Sequence, residues 1–327
     1  MRLFLDRGQS NNKYRKGLIN LNIIETLRND SISALPNGFA SCFPVWKERI
    51  CELAPVQTPR QIMDLGDNLS SIFNLTRTEG RSQSDVSGGG TAWEALVCWY
   101  LNLCLIGRRT VVIKHNKKLI PLPVRDAITV NYGNFASNTE SDLVAITFPD
   151  RVEYSTVREN IFITDEHNLP VPTLIGQRFN RNGLMNALCH RDFAQLEIHI
   201  IQCKTNWNDN AQIPMLWDMV YSANEFRANI TIGQNGYSIH GADRFTYSFV
   251  TVPTSRMDNV SSSSTHVRRV AQISGGNYWG KPTVNGVSSS VKEMLNRNLL
   301  AGHRSSHMIT LGAELPRLNT DYSYFGI

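Results

Sequence analysis

The chain has 327 residues, 41% of them hydrophobic, and a formal net charge of +5, which is the profile of an ordinary soluble globular protein of one large or two medium domains. The longest apolar run, Ala95 to Ile106, is interrupted by Asn102 and is too short to cross a bilayer. Met1 to Asn12 carries charges early and lacks the apolar centre of a secretory signal, so a cytoplasmic protein is expected. The six cysteines form no C-x-x-C pair, which excludes a zinc ribbon or a dithiol redox motif and suits buried free thiols in a reducing cytosol.

In chain order, residues 1 to about 80 read as a helical N-terminal region. Leu18 to Leu27 and Thr58 to Leu75 have helical patterning, and Pro36-Asn37-Gly38 signals a turn. Thr76 to Gly90 is polar and ends in Ser87-Gly88-Gly89-Gly90, so it is expected to be a loop. Without a Gly-Lys-Ser/Thr sequence it is no P-loop, and no nucleotide cofactor is expected. Thr91 opens a helix that runs to about Leu105. Strands follow at Thr110 to Lys114, Ala127 to Tyr132 and Asp142 to Phe148, then a helix at Asn182 to Cys189 and a strand ending at Lys204. A helix at Ile213 to Arg227 and a strand at Phe245 to Val252 complete the core. The class is α/β, a central mixed β-sheet flanked by helices, with a last helix over Ser289 to Leu300 in a basic C-terminal region.

The strand Gln195 to Lys204 carries the chemistry. Residues two apart share a strand face, so Gln202 and Lys204 present an amide oxygen and an ammonium side by side. Asp142, entering another apolar strand, supplies a carboxylate. Over about residues 90 to 252, this constellation resembles the PD-(D/E)XK superfamily of restriction endonuclease-like nucleases, in the Q-x-K form of its Mrr-like branch. The resemblance implies a core of helix, three strands, helix and strand. It assigns residues 81–252 to the nuclease core, with an insertion at about 151–194, and leaves 1–80 and 253–327 as additions. It also implies that Asp142 and Gln202 bind one or two magnesium ions, that Lys204 acts on the attacking water or the developing charge, and that Glu94 faces the metals from the preceding helix. An acid here precedes its strand, so Asp142 is preferred to Asp150, which follows one.

Charge is uneven. Arg108, Arg109, Lys114, Lys117, Lys118 and Arg125 face only Asp126 within residues 107–126, and a second basic segment contains Arg268, Arg269 and Lys281. Arg108, Arg109, Arg268, Arg269 and Lys281, with Asn206 and Asn208 after the active strand, are therefore candidate DNA contacts. His303 and His307 lack a third ligand for zinc. Glu197 and His199 leave open an E-x-H reading on the other face of the active strand. The resulting expectation is a magnesium-dependent endonuclease of double-stranded DNA from a prokaryotic restriction or defence system, acting as a homodimer. The alternative is an inactive, DNA-binding or assembly member of the same fold, motivated by Gln202.

Overall fold

Two runs of aliphatic residues, Val111 to Ile113 and Leu143 to Ile146, and a third, Ile198 to Ile201, broken only by His199, have apolar residues on both faces, so their strands must be covered on both sides. They form three adjacent strands at one side of a six-stranded mixed sheet. The structure, a computed structural model, describes residues 21–76, 83–137, 141–205, 230–252, 260–273, 277–280 and 287–327.

The N-terminal region is helical. Asn22 caps α1 (Ile23–Ser33) by accepting the Glu25 N–H at 2.8 Å. Pro36 is no turn residue; it stands at the entry of α2 (Asn37–Leu53), where a missing N–H is no loss because the first helical donors lack intrahelical partners. The expected helix at 58–75 is broken into α3 (Pro59–Asp64), a 3-10 turn and α4 (Leu69–Asn74). The break sits at Gly66, where an added Cβ would lie 2.7 Å from the Lys292 backbone nitrogen. The expected loop ending at Gly90 is also corrected, since α5 (Gln83–Cys104) already runs through Ser87 to Gly90. Each glycine costs a helix about 1 kcal/mol. The apolar stretch that follows outweighs this by burying Trp93, Trp99 and Tyr100 completely or nearly so.

The core strands are β1 (Thr110–Lys114), β4 (Leu143–Thr147), β7 (Glu197–Lys204) and β9 (Arg244–Thr251). Between the first two lie α6 (Leu122–Ala127), β2 (Val130–Tyr132) and β3 (Phe135–Ser137). The expected strand at 127–132 is thus a helix end followed by β2, which belongs to a separate three-stranded sheet with β3 and β8 (Ile230–Ile232). The insertion at 151–194 contains the short helix α7 (Val152–Ser155), the hairpin of β5 (Leu174–Ile175) and β6 (Arg178–Phe179), and α8 (Arg181–Arg191). The expected helix at 213–227 lies outside the described residues. β4 is antiparallel to both β1 and β7, whereas β9 is parallel to β7. The last part of the chain, with α9 (Thr265–Ile273), β10 (Tyr278–Gly280), β11 (Ser289–Ser290), α10 (Val291–Arg297) and α11 (His307–Glu314), extends this sheet. β10 adds to β9 and β11 to β10, both parallel. The C-terminal region is therefore built into the core, and the helix expected from Ser289 begins two residues later.

The sheet separates two apolar clusters. One joins Val112, Leu143, Ile201 and Cys203 to α5 and the N-terminal helices. The other joins Ile113, Val144, Ile198 and Ile200 to α1, α6 and α8.

β1 is an edge strand, and its outward backbone groups need partners. Asn102 supplies them from α5. Its side-chain amide donates to the Val112 carbonyl at 2.7 Å, and its Oδ1 accepts the Val112 N–H at 3.1 Å. Arg28 of α1, fully buried, donates to the same Oδ1 at 3.2 Å and to the Arg108 carbonyl at 2.8 Å, and pairs with Glu25 at 2.8 Å. Asn102→Leu would leave a buried N–H unsatisfied and a buried guanidinium short of an acceptor, at a cost of about 2–4 kcal/mol. Urea unfolding should show the midpoint falling at an unchanged slope.

Candidate active site

Four of the residues singled out in the sequence meet at one end of the sheet, where β1 and β7 end and β4 begins. β4 pairs with β7 only as far as Leu143 opposite Ile201. One step further, Asp142 lies opposite Gln202. There the Cys203 N–H donates to the Asp142 carboxylate at 2.8 Å, in place of a ladder carbonyl. Gln202 and Lys204 alternate with Ile201 and Cys203, so they continue the face of Ile198 and Ile200, and both are half-buried. Cross-strand neighbours have Cβ atoms roughly 5 Å apart, so the Asp142 carboxylate and the Gln202 amide can reach a common ligand.

Glu94 approaches the same end from α5, on the opposite face. It forms an ion pair with Lys114, the last residue of β1. Lys114 stands opposite Leu143, and the next residue, His115, donates its N–H to the Asp142 carbonyl at 3.0 Å. In the sequence Lys114 counts only as one basic residue among several, and nothing there places it in the site. The available signal was a lone cation closing an apolar strand in the sheet of the candidate acid.

The electrostatics tie these groups together. Burial, and next the Glu94 carboxylate, push the Asp142 carboxyl up to about 6. The Cys203 N–H, Lys204 and Lys114 act in the other direction. Burial raises the Cys203 thiol well above its usual range, with Asp142 and Glu94 adding to the effect, so this cysteine is an inert neighbour rather than a nucleophile. Burial, Lys117 and Lys114 lower the pKa of His115.

Other candidates lie elsewhere. Arg108 is only 1% exposed and donates to the Ser305 carbonyl at 2.8 Å and to the Leu300 carbonyl, so it anchors the C-terminal segment and does not face DNA. Arg109 pairs with Asp150 at 3.1 Å, and Asp150 also holds Arg304 at 3.0 Å, which gives that acid a structural partner set away from the β4 start. Both arginines stand at the opposite end of β1 from Lys114. Arg268 is exposed on α9, and Arg269 follows it on that helix. Asn206, Asn208 and Lys281 lie outside the described residues. Glu197 and His199 are buried on the other face of β7, 3.4 Å apart, with His199 Nδ1 bonded to Thr246 Oγ1 at 2.6 Å.

The exposed cations of the first basic segment are Lys117 and Lys118. With Arg125 and Arg181 they line a pocket of about 220 Å³, where Arg181 pairs with Asp30 at 2.9 Å and Arg125 lies 4.0 Å from Asp126. Lys117 is three residues beyond Lys114, so its backbone lies within about 10 Å of the candidate site.

Among the described residues, no group of three or more His, Cys, Asp or Glu side chains forms a ready metal-ligand set. A hard divalent ion would instead fit a mixed donor set of a carboxylate and an amide oxygen. Asp142 suits it, because a buried carboxylate facing a second carboxylate is stabilised by a cation. No family model, curated protein or solved structure matches the chain.

Asp142 gives a prediction about stability. An acid with a raised folded-state pKa binds its proton more tightly when folded, so stability falls as pH rises from about 4 through about 6, by about 3 kcal/mol in total. Asp142→Asn keeps an acceptor for the Cys203 N–H and removes the charge. In metal-free buffer the variant should melt above the wild type at about pH 7.5 and together with it at about pH 4.

Proposed function

We propose that the protein is a magnesium-dependent endonuclease acting on double-stranded DNA, with a restriction endonuclease-like core. The observation that carries this reading is the Asp142 carboxylate on the Cys203 N–H, beside Gln202 and Lys204 and within the field of Glu94 and Lys114. The order of core elements supports it: α5, then three antiparallel strands, then a strand parallel to the third. The superfamily resemblance leads one to expect these elements with a helix before the last strand, and that helix lies outside the described residues.

Asp142 and Gln202 would hold magnesium, with Glu94 close by. Bound there, the ion supplies a water of lowered pKa and neutralises charge on the scissile phosphate. Lys204, on the face of Gln202, orients that water or stabilises the negative charge that develops. Cutting both strands takes two such sites, so two copies acting together are part of the proposal. The reading places the protein in a prokaryotic restriction or related defence system, since this superfamily supplies the fold of most restriction endonucleases.

A second reading has its own observation: Gln202 replaces an acid, and Glu94 is already neutralised by Lys114. A chain that binds DNA without cutting would have this composition. Incubating supercoiled plasmid with the wild type in magnesium separates the two readings. For the nuclease, Asp142→Ala and Lys204→Ala should each abolish cleavage while leaving the fold and DNA binding intact, because each removes a group needed mainly as charge develops. Asp150→Ala, which disturbs only the Arg109–Asp150–Arg304 ion pairs, should still cleave.

The path of the DNA backbone passes over Lys117 and Lys118, with Arg125 beside them, in this reading, rather than over Arg108 and Arg109. Replacing Lys117, Lys118 and Arg125 together by alanine should lower the slope of log affinity against log salt by about 0.9 for each phosphate that is no longer neutralised. Affinity should fall alike for all sequences, since groups that bind the backbone position the protein without specifying a sequence. An unchanged slope would exclude this path.

A further inference from the structure

Metal binding and water activation by Asp142, Gln202 and Lys204 leave Lys114 without a task, although it is the residue in closest contact with Glu94. Both side chains are largely buried, at 22% and 17% exposure. A surface ion pair contributes little, but this one sits at the end of the sheet that also carries Asp142. Asp142 lies at the start of β4, next to Leu143 opposite Lys114, so Glu94 adds a second carboxylate to that end of the sheet. Lys114 is the cation placed against them. Its strand position opposite Leu143 and the bond from its neighbour His115 to the Asp142 carbonyl fix it beside the start of β4.

In phosphoryl-transfer sites that use two ions, the cations stand about 4 Å apart and share the carboxylates and the scissile phosphate. Here one of those carboxylates already has a cation bound through the chain. We propose that Lys114 is a built-in cation: its ammonium occupies the place beside Glu94 that a second divalent ion would take, so the site works with a single ion held by Asp142 and Gln202.

This inference rests on the nuclease reading and deepens it. Lys114 is a positioning residue, since it acts through Glu94. Its ammonium balances the site in the absence of DNA, with Lys114 and Lys204 set against Glu94 and Asp142. Removing the ammonium should turn Glu94 and Asp142 into a carboxylate pair that attracts a divalent ion. A merely structural salt bridge would have no such effect.

The test is calorimetric titration of Mn2+ into the full chain without DNA, for the wild type, Lys114→Met, Lys114→Arg, Glu94→Gln and the Lys114→Met/Glu94→Gln pair. Lys114→Met should bind Mn2+ on the order of tenfold more tightly than the wild type, as expected when a site gains a free carboxylate. The gain should vanish in the double variant, and Lys114→Arg, which keeps the cation, should behave as the wild type. An unchanged affinity in Lys114→Met, or a gain that survives Glu94→Gln, overturns the proposal. If Lys114→Met does not fold, Glu94→Gln alone decides. Wild-type Mn2+ affinity in that variant supports a Glu94 already engaged by Lys114, and weakened affinity overturns it. Plasmid cleavage by the wild type is run alongside. Cleavage without the gain in Lys114→Met removes this inference and leaves the nuclease reading standing. No cleavage, together with no Mn2+ binding by any variant, removes both.

Discussion

The side-chain amide of Asn102 against the backbone of Val112 is the constraint on which the site depends. It fixes the register between a 22-residue helix and the edge strand of the sheet. From that point, Glu94 lies eight residues back along α5, about 12 Å away. Lys114 lies two residues on along β1, about 7 Å away, and the length of a lysine side chain closes the difference. The ion pair of Glu94 and Lys114 is thus the second point of attachment between the same two elements. Arg28 adds α1 to the first point through Glu25, Asn102 and the Arg108 carbonyl. An edge strand left without these partners would expose an N–H and a carbonyl inside the protein.

The core was legible where the physics is local. Runs rich in aliphatic and aromatic residues gave β1, β4, β7 and β9 nearly to the residue, and the apolar side of α5 was clear from Trp93 onward. Asn102 was legible only as an interruption of an apolar run. Its role depends on a strand that returns to it ten residues later, which no periodicity shows. The glycines at 88–90 misled because helix propensity is weak beside tertiary packing. Arg108 misled for a related reason. A count of charges treats every arginine as solvated, whereas this one is 1% exposed and bound to backbone carbonyls. Of the local cations, Arg108, Arg109 and Lys114 are engaged inside the protein, Arg125 lies 4.0 Å from Asp126, and Lys117 and Lys118 are exposed.

The site itself was half legible. Order along the chain gave Asp142, Gln202 and Glu94, because an acid before one apolar strand and an amide near the end of the next are sequence features. What sequence could not give was which face each group occupies. Gln202 and Lys204 lie on the face of Ile200, Glu94 and Lys114 on that of Cys203, and Asp142 is the group that responds to both sets of charges. Its position just outside the strand makes this possible, since a residue one step inside β4 would be committed to one face.

The same placement gives a physical reason for glutamine at position 202. Burial and Glu94 already push the Asp142 carboxyl up to about 6. A carboxylate at 202 would stand opposite Asp142 on the neighbouring strand, where like charges destabilise a sheet. The site would then carry three acids against Lys114 and Lys204, and the metal-free protein would bear the excess. With an amide there, two carboxylates meet two ammonium groups, and the oxygen ligand is retained. Under the single-ion reading, the amide at 202 and the lysine at 114 are two parts of one solution. Each lowers the negative charge that the fold must tolerate before a cation and a phosphate arrive.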